Sequence, residues 1–232
     1  MKTTKSPEPV ARLLGVSKVF GQGPNKTQVL KNISFEAYPG ELLLLLGPSG
    51  SGKSTFLTLL AGLQAPSEGE VWLFGRKVQD FSTSDLQSLR ARHLGFIFQT
   101  FHLIDSLTAL ENILLVMKFT NTPKRQAKAQ ALELLDRFAI SHLTHIRPPT
   151  MSQGEKQRVA IARALANHAE LIIADEPTGN LDSNQGMEIA GLLRQIAEHE
   201  NRCVVLTSHD PRIIGYANRV FYLQDGKIRT KA

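Results

Sequence analysis

The sequence predicts an α/β protein: buried parallel strands around a phosphate-binding loop, short antiparallel strands before them, and a helical insertion between them. Three observations carry that prediction. Five consecutive leucines, Leu42–Leu46, read as a strand buried on both faces. They run straight into Gly47-Pro48-Ser49-Gly50-Ser51-Gly52-Lys53-Ser54-Thr55, which fits G-x-x-x-x-G-K-[ST] at Gly47, Gly52, Lys53 and Ser54. Two further apolar runs, 171–174 and 203–207, end in groups suited to chemistry, Asp175-Glu176 and Ser208-His209.

Taken in order, residues 13–20 and 28–38 read as strands separated by polar turn residues. The phosphate loop follows. Glycines without Cβ let backbone N–H groups curl around phosphate oxygens, and the helix that begins there adds its positive end. Lys53 can reach the β- and γ-phosphates, and the Ser54 hydroxyl can ligate Mg²⁺. Phe56, Leu57, Leu59, Leu60 and Leu63 mark the apolar face of that helix, with Gly62 near its end. Residues 69–75 form a strand bounded by glycines. The period then becomes helical over 107–118, 124–138 and 154–167, where apolar positions fall three and four apart. Residues 100–167 therefore read as a helical subdomain inserted into a single domain whose α/β core is 1–99 and 168–232. Near the end, Val220 to Leu223, Asp225-Gly226 and Lys227-Ile228 spell a hairpin.

Composition bounds the function. The chain has 232 residues, 42% hydrophobic and 21% charged, enough for one large domain with a substantial core. No apolar run approaches the roughly 20 residues of a membrane helix. The opening Met1 to Pro9 lacks an apolar signal core, so export is not expected. Cys203 is the only cysteine, which excludes an internal disulfide framework, and its setting in Cys203-Val204-Val205-Leu206 reads as a core thiol. The net charge of +6 is spread along the chain without a basic run, as on a solvated surface.

The strand ends carry the chemistry. Asp175, brought beside the phosphate loop, can hold Mg²⁺ directly or through water, and Glu176 projects toward a water attacking the γ-phosphate, as general base or orienting group. His209 falls at the carboxyl edge where a parallel sheet puts its ligands, able to donate to a γ-phosphate oxygen. Taken alone, an acidic strand end or a lone histidine is ordinary surface. Ser152 and Glu155, three apart before Val159, Ala160, Ile161 and Ala164, form a capping box, common at helix starts. With Gly154 beside it, such a start is also an anion site.

At this point the residues resemble a known family. Phe20, the phosphate loop, Phe98-Gln99, Met151-Ser152-Gln153-Gly154-Glu155, Asp175-Glu176, Gly179-Asn180-Leu181-Asp182 and Ser208-His209 follow one another as in ABC-type ATP-binding subunits, over nearly the whole chain. The resemblance implies a P-loop NTPase (RecA-like) core with an N-terminal antiparallel β subdomain and an inserted α-helical subdomain. It implies ATP and Mg²⁺ as ligands, Phe20 stacked on adenine, and Gln99 sensing Mg²⁺ or the attacking water at the joint with the helical insertion. Ser152 and Gly154 would contact the γ-phosphate bound by a second copy in a head-to-tail homodimer, with Asp182 near the shared interface. The commonest family signature reads Leu-Ser-Gly-Gly-Gln or Leu-Ser-Gly-Gly-Glu; here Met151 replaces leucine and Gln153 the first glycine.

The stretches 98–104, 107–112 and 175–182 are similar to the branch of lipoprotein-releasing, macrolide- or peptide-exporting and cell-division ATPases. That likeness implies an integral membrane permease as partner and a cytoplasmic position, peripheral on the inner membrane face. A soluble ABC ATPase acting on nucleic acid or the ribosome is the alternative. Such proteins usually carry two nucleotide modules, a long coiled coil or zinc-binding cysteines; with none of these here, no nucleic-acid partner is expected. A small-molecule kinase would leave the signature, Asp182 and His209 without roles.

Overall fold

The computed structural model describes residues 8–230, so most of the polar opening lies outside the described residues. The first strands, β1 (Ala11–Phe20) and β2 (Thr27–Ala37), pair as an antiparallel hairpin, and β1 also pairs with β4 (Glu68–Leu73), which pairs with the short β5 (Arg76–Lys77). This gives a four-stranded antiparallel sheet in the order β2-β1-β4-β5. The second sheet has six strands, in the order β10-β9-β3-β8-β7-β6. These are β3 (Leu42–Leu46), β6 (Leu94–Phe98), β7 (Leu171–Asp175), β8 (Cys203–Ser208), β9 (Arg219–Gln224) and β10 (Lys227–Thr230). All their pairings are parallel except the β9–β10 hairpin, turned by Asp225 and Gly226 at φ 52° and 75°.

The leucine run is buried throughout because β3 sits between β9 and β8 and is covered on both faces. Its alternation divides the core. Leu42, Leu44 and Leu46, with Ile172, Ala174, Val204 and Leu206, face one apolar cluster, built from α3 (Ala109–Met117), α4 (Lys124–Arg137), α5 (Gln153–Leu165) and α6 (Ser183–Glu200). Leu43 and Leu45, with Leu171, Ile173, Cys203 and Val205, face the other, shared with α1 (Lys53–Leu60) and the antiparallel sheet. The helices α3 to α5 all lie between β6 and β7 in the chain. Cys203 is a core residue, and burial, with the negative charge of Glu41 adding to it, pushes its thiol far above the ordinary range. Among the described residues no helix is long and apolar enough to cross a membrane.

Among the strands and α-helices, four fall outside the segments picked out from the sequence: the two-residue β5, then β6, α2 and α6. β6 is a five-residue run, too short to separate from a loop by period alone. α2 (Thr83–His93) has no fully buried residue, so it carries no apolar stripe. α6 does carry one, in Ile189, Ala190, Leu193, Ile196 and Ala197, and its pattern was open to reading.

Candidate functional site

The parallel register assembles the site. Phe98 pairs with Asp175, Asp175 with Thr207, and Ser208 with Leu46, so four strands end in one row. Gln99, Glu176, His209 and the phosphate loop follow those ends and meet in a cavity of about 820 Å³. It is lined by Val29, Ser49, Gly50, Gly52, Lys53, Ser54, Thr55, Gln99, Asp175, Glu176 and His209. This is the carboxyl edge of a parallel sheet, where such folds bind ligands.

The loop between β3 and α1 depends on two of its glycines. A Cβ at Gly47 would sit 2.4 Å from the Leu223 carbonyl oxygen. Gly52 has φ 102°, and a Cβ there would also press on Val29 at 2.9 Å. Gly52 precedes α1 without any side-chain cap, so the first-turn N–H groups remain open to an anion. Lys53 is buried, and its Nζ donates to the carbonyls of Gly47 at 2.9 Å and Pro48 at 3.1 Å. The same Nζ stands 3.3 Å from Glu176 Oε1. The cation is thus held at the loop by its own backbone and by the carboxylate facing it.

The acidic end of β7 is held with equal definition. Glu176 has φ 47°, in the left-handed region costly for a residue with a Cβ. Its N–H donates to Thr207 Oγ1 at 3.0 Å, and the Thr207 hydroxyl donates to Asp175 Oδ1 at 2.7 Å. Its other carboxylate oxygen lies 3.1 Å from His209 Nδ1. Gln99 accepts from Asn180 Nδ2 at its backbone carbonyl, 2.8 Å away, which ties the segment after β6 to the segment after β7.

The donor set at this place suits Mg²⁺. Ser54, Gln99 and Asp175 supply a hydroxyl, an amide and one carboxylate, hard oxygen donors that leave room for phosphate and water oxygens. Among the described residues no group of three or more His, Cys, Asp or Glu side chains forms a metal cage, and Mg²⁺ bound with substrate phosphates needs none.

The remaining sequence-derived residues lie elsewhere. Gly47, Pro48 and Ser51 shape the loop without lining the cavity. Phe20 ends β1, 40% exposed, with Lys18 Nζ 5.1 Å from its ring centroid. Ser152 and Gly154 open α5 away from the cavity, where Ser152 and Glu155 form a complete capping box: Ser152 N–H donates to Glu155 Oε2 at 2.8 Å, and Glu155 N–H donates to Ser152 Oγ at 3.3 Å. Asp182 caps α6, accepting the N–H groups of Asn184 and Gln185 at 3.0 Å.

Four residues escaped the sequence reading. Val29 lines the cavity from β2, where nothing distinguishes it from any strand valine. Thr207 is a polar residue inside an apolar central strand, a signal that was visible. Gln157 stands on the apolar face of α5, three and four before Ala160 and Ile161; it is fully buried and donates to the Pro177 carbonyl at 2.7 Å. Arg163, six residues on, donates to the carbonyls of Phe101 and His102, both at positive φ. Burial holds its guanidinium below the usual arginine range. Through these two side chains α5 grips the segments that follow Gln99 and Glu176.

Comparison with known proteins agrees with this geometry. The model of the family described as ABC transporter matches residues 30–179. An uncharacterized ABC transporter ATP-binding protein of Methanocaldococcus jannaschii is 42% identical over 92% of this chain and 95% of its own length. A macrolide export ATP-binding/permease protein of Hahella chejuensis is 38% identical over 95% of this chain, which spans 34% of that protein. Among solved structures, the dimeric post-hydrolysis state of the ATP-binding cassette MJ0796 bound to ADP and Pi superimposes with a TM-score of 0.86 at 37% identity, over 95% of this chain and 98% of the other.

Proposed function

Because the chain belongs to the ABC transporter family, as one of its ATP-binding, ATP-hydrolysing cassettes, we propose that it works as a head-to-tail homodimer driving a separate membrane permease. One observation carries the catalytic part. Lys53, Ser54, Gln99, Asp175, Glu176 and His209 converge from four chain segments on one cavity beside an uncapped helix start. In the proposed reaction water attacks the γ-phosphorus in line, the β–γ bridging bond breaks, and ADP and phosphate form. The loop N–H groups and Lys53 hold the phosphates and oppose the charge that develops on them. Glu176 accepts a hydrogen bond from the attacking water, with its backbone fixed by Thr207 and its carboxylate by Lys53 and His209. His209 steadies the transferred group. Ser54, Asp175 and Gln99 would hold Mg²⁺, which would supply positive charge against the phosphates.

Phe20 is proposed to stack on adenine at the exposed end of β1. Ser152, Gly154 and Asp182 are assigned to the nucleotide of the partner copy. Their place outside the cavity supports that assignment, as does the dimer reported for the MJ0796 cassette. For the permease, support comes from a second, mostly apolar groove of about 370 Å³ that begins at Phe98, next to Gln99. Leu63, Ile104, Val116 and Phe119 line it, and Phe119 is 70% exposed. A short apolar helix of a cytoplasmic permease loop suits it. The Hahella relative, named for both an ATP-binding and a permease function, supports that partner class, and the free-standing Methanocaldococcus relative supports a separate chain. An exporting or force-transmitting role on the inner membrane face completes the proposal.

Glu176→Gln tests the core of it. The variant should keep ATP affinity, lose hydrolysis by about a hundredfold or more, and run as an ATP-dependent dimer in size-exclusion chromatography. Near-parental turnover would remove Glu176 from its role. Capture of tagged protein from detergent-solubilised membranes should recover an integral membrane protein; recovery of ribosomes or DNA instead would favour the soluble alternative.

A further inference from the structure

We propose that Thr207 is the positioning residue that sets both carboxylates of the hydrolytic site, an inference that rests on the roles given above to Asp175 and Glu176. Thr207 is fully buried in β8, in a strand otherwise made of Cys203, Val204, Val205 and Leu206 before Ser208. A hydroxyl placed there costs stability unless it is bonded. Both of its capacities are used, and both are spent on the adjacent strand: Oγ1–H donates to Asp175 Oδ1 at 2.7 Å, and Oγ1 accepts the Glu176 N–H at 3.0 Å. Since the hydroxyl has one proton, which goes to the carboxylate, its lone pair faces the amide. The direction of the relay is fixed.

Two consequences follow for the chemistry. With Oδ1 engaged, Asp175 is oriented so that Oδ2 is the oxygen available to a cation beside Ser54. Glu176 lies one residue past the end of β7, at φ 47°, and Thr207 receives the N–H that the ladder no longer holds. Lys53 and His209 fix the far end of the same residue, its carboxylate. Without Thr207 the backbone of Glu176 would relax out of a strained conformation, and a displacement of about 1 Å at a reacting group costs on the order of a hundredfold in rate. The register is direct, Asp175 opposite Thr207, which brings this hydroxyl to both groups.

Thr207→Val keeps shape and removes the hydroxyl; Thr207→Ser keeps the hydroxyl. In the full chain, Thr207→Val should lower kcat by about tenfold or more while KM for ATP at saturating Mg²⁺ stays within about threefold. The Mg²⁺ concentration for half-maximal nucleotide binding should rise severalfold, whereas ATP affinity in EDTA stays parental. Thr207→Ser should regain most of both losses. Should Thr207→Val not fold, Thr207→Cys, a weak donor of similar shape, carries the same expectation. A parental kcat and Mg²⁺ requirement, equal loss of affinity with and without Mg²⁺, or a serine variant as impaired as valine would each overturn the proposal. Glu176→Gln distinguishes the levels: if it traps the dimer while Thr207→Val is silent, only the positioning role falls; if it turns over normally, the underlying assignment falls.

Discussion

The starts of α1 and α5 are both small-residue helix N-termini in a P-loop cassette, yet they are finished in opposite ways. At α1 no side chain caps the helix, no acidic residue occupies the first turn, and Gly52 takes φ 102° so that the backbone curls around the cavity. At α5 Ser152 and Glu155 close a full capping box, and Gly154 lies against Gln185 rather than in the cavity. One end is open to phosphate within its own chain. The other is satisfied locally and faces outward, with Ser152 exposed. The difference teaches that a helix N-terminus becomes an anion site of a given chain only where its donors are left uncapped and its neighbours converge. A capped one serves, if at all, through a surface brought by another molecule.

The sharpest way to break that comparison is to remove one key group from each end. Lys53→Ala should weaken ATP binding by about a hundredfold or more in the isolated monomer, roughly 2.7 kcal/mol, measured by titration calorimetry. Ser152→Ala should leave monomer ATP affinity within about threefold, while ATP-dependent dimerisation and hydrolysis fall by about tenfold or more. Equal losses of monomer affinity in the two variants would erase the distinction. The alanine at the cap also costs about 1 kcal/mol of folding stability, so thermal unfolding must accompany the binding data.

The same contrast marks what the sequence could disclose. The phosphate loop was legible because its chemistry is contiguous: a leucine strand, glycines at fixed offsets and Lys53 lie within fourteen residues, Leu42 to Thr55. Asp175, Glu176 and His209 were legible as polar ends of apolar runs, and the sheet register then explains why they meet. Val29 was not, since a valine in a strand says nothing about which loop it will touch. Nor were the long-range grips of Gln157 on Pro177 and Arg163 on Phe101 and His102, which depend on how α5 docks. The polar residue on an apolar helix face hinted at Gln157, without naming its acceptor. The roles proposed for Ser152 and Asp182 rest on the family resemblance, because their visible bonds in one chain are ordinary caps.

A finer probe concerns Gln153, the first residue of α5, where the commonest signature has glycine. Gln153 is exposed and outside both hydrogen bonds of the box. Gln153→Gly should therefore leave ATPase activity within about tenfold, roughly 1.4 kcal/mol of barrier. Complete loss of steady-state hydrolysis would mean that the geometry of this start depends on the glutamine, and the outward-facing end would then be more specialised than the bonding pattern indicates.

The smallest effect separates the two ends by pH. The Ser152 backbone N–H, then His142 and the Ser152 hydroxyl, hold the Glu155 carboxyl below its usual range. A carboxylate depressed in the folded state stabilises above its unfolded value, about 4.3, and that contribution is lost as pH falls through the lower folded value. Glu155→Gln can still cap the helix but cannot ionise. The parent should thus unfold at a higher temperature than Glu155→Gln at pH 7, and the gap should close toward pH 3. Because Glu155 is only partly buried, with 30% of its side chain exposed, the gap should stay below the about 2–4 °C that a full 1 kcal/mol shifts a domain of this size. The α1 start has no acidic first-turn residue, so Ser49→Ala in the open loop should show no such pH-dependent gap. A gap that persists unchanged at pH 3 would mean that packing of Glu155, rather than its charge, closes the α5 end.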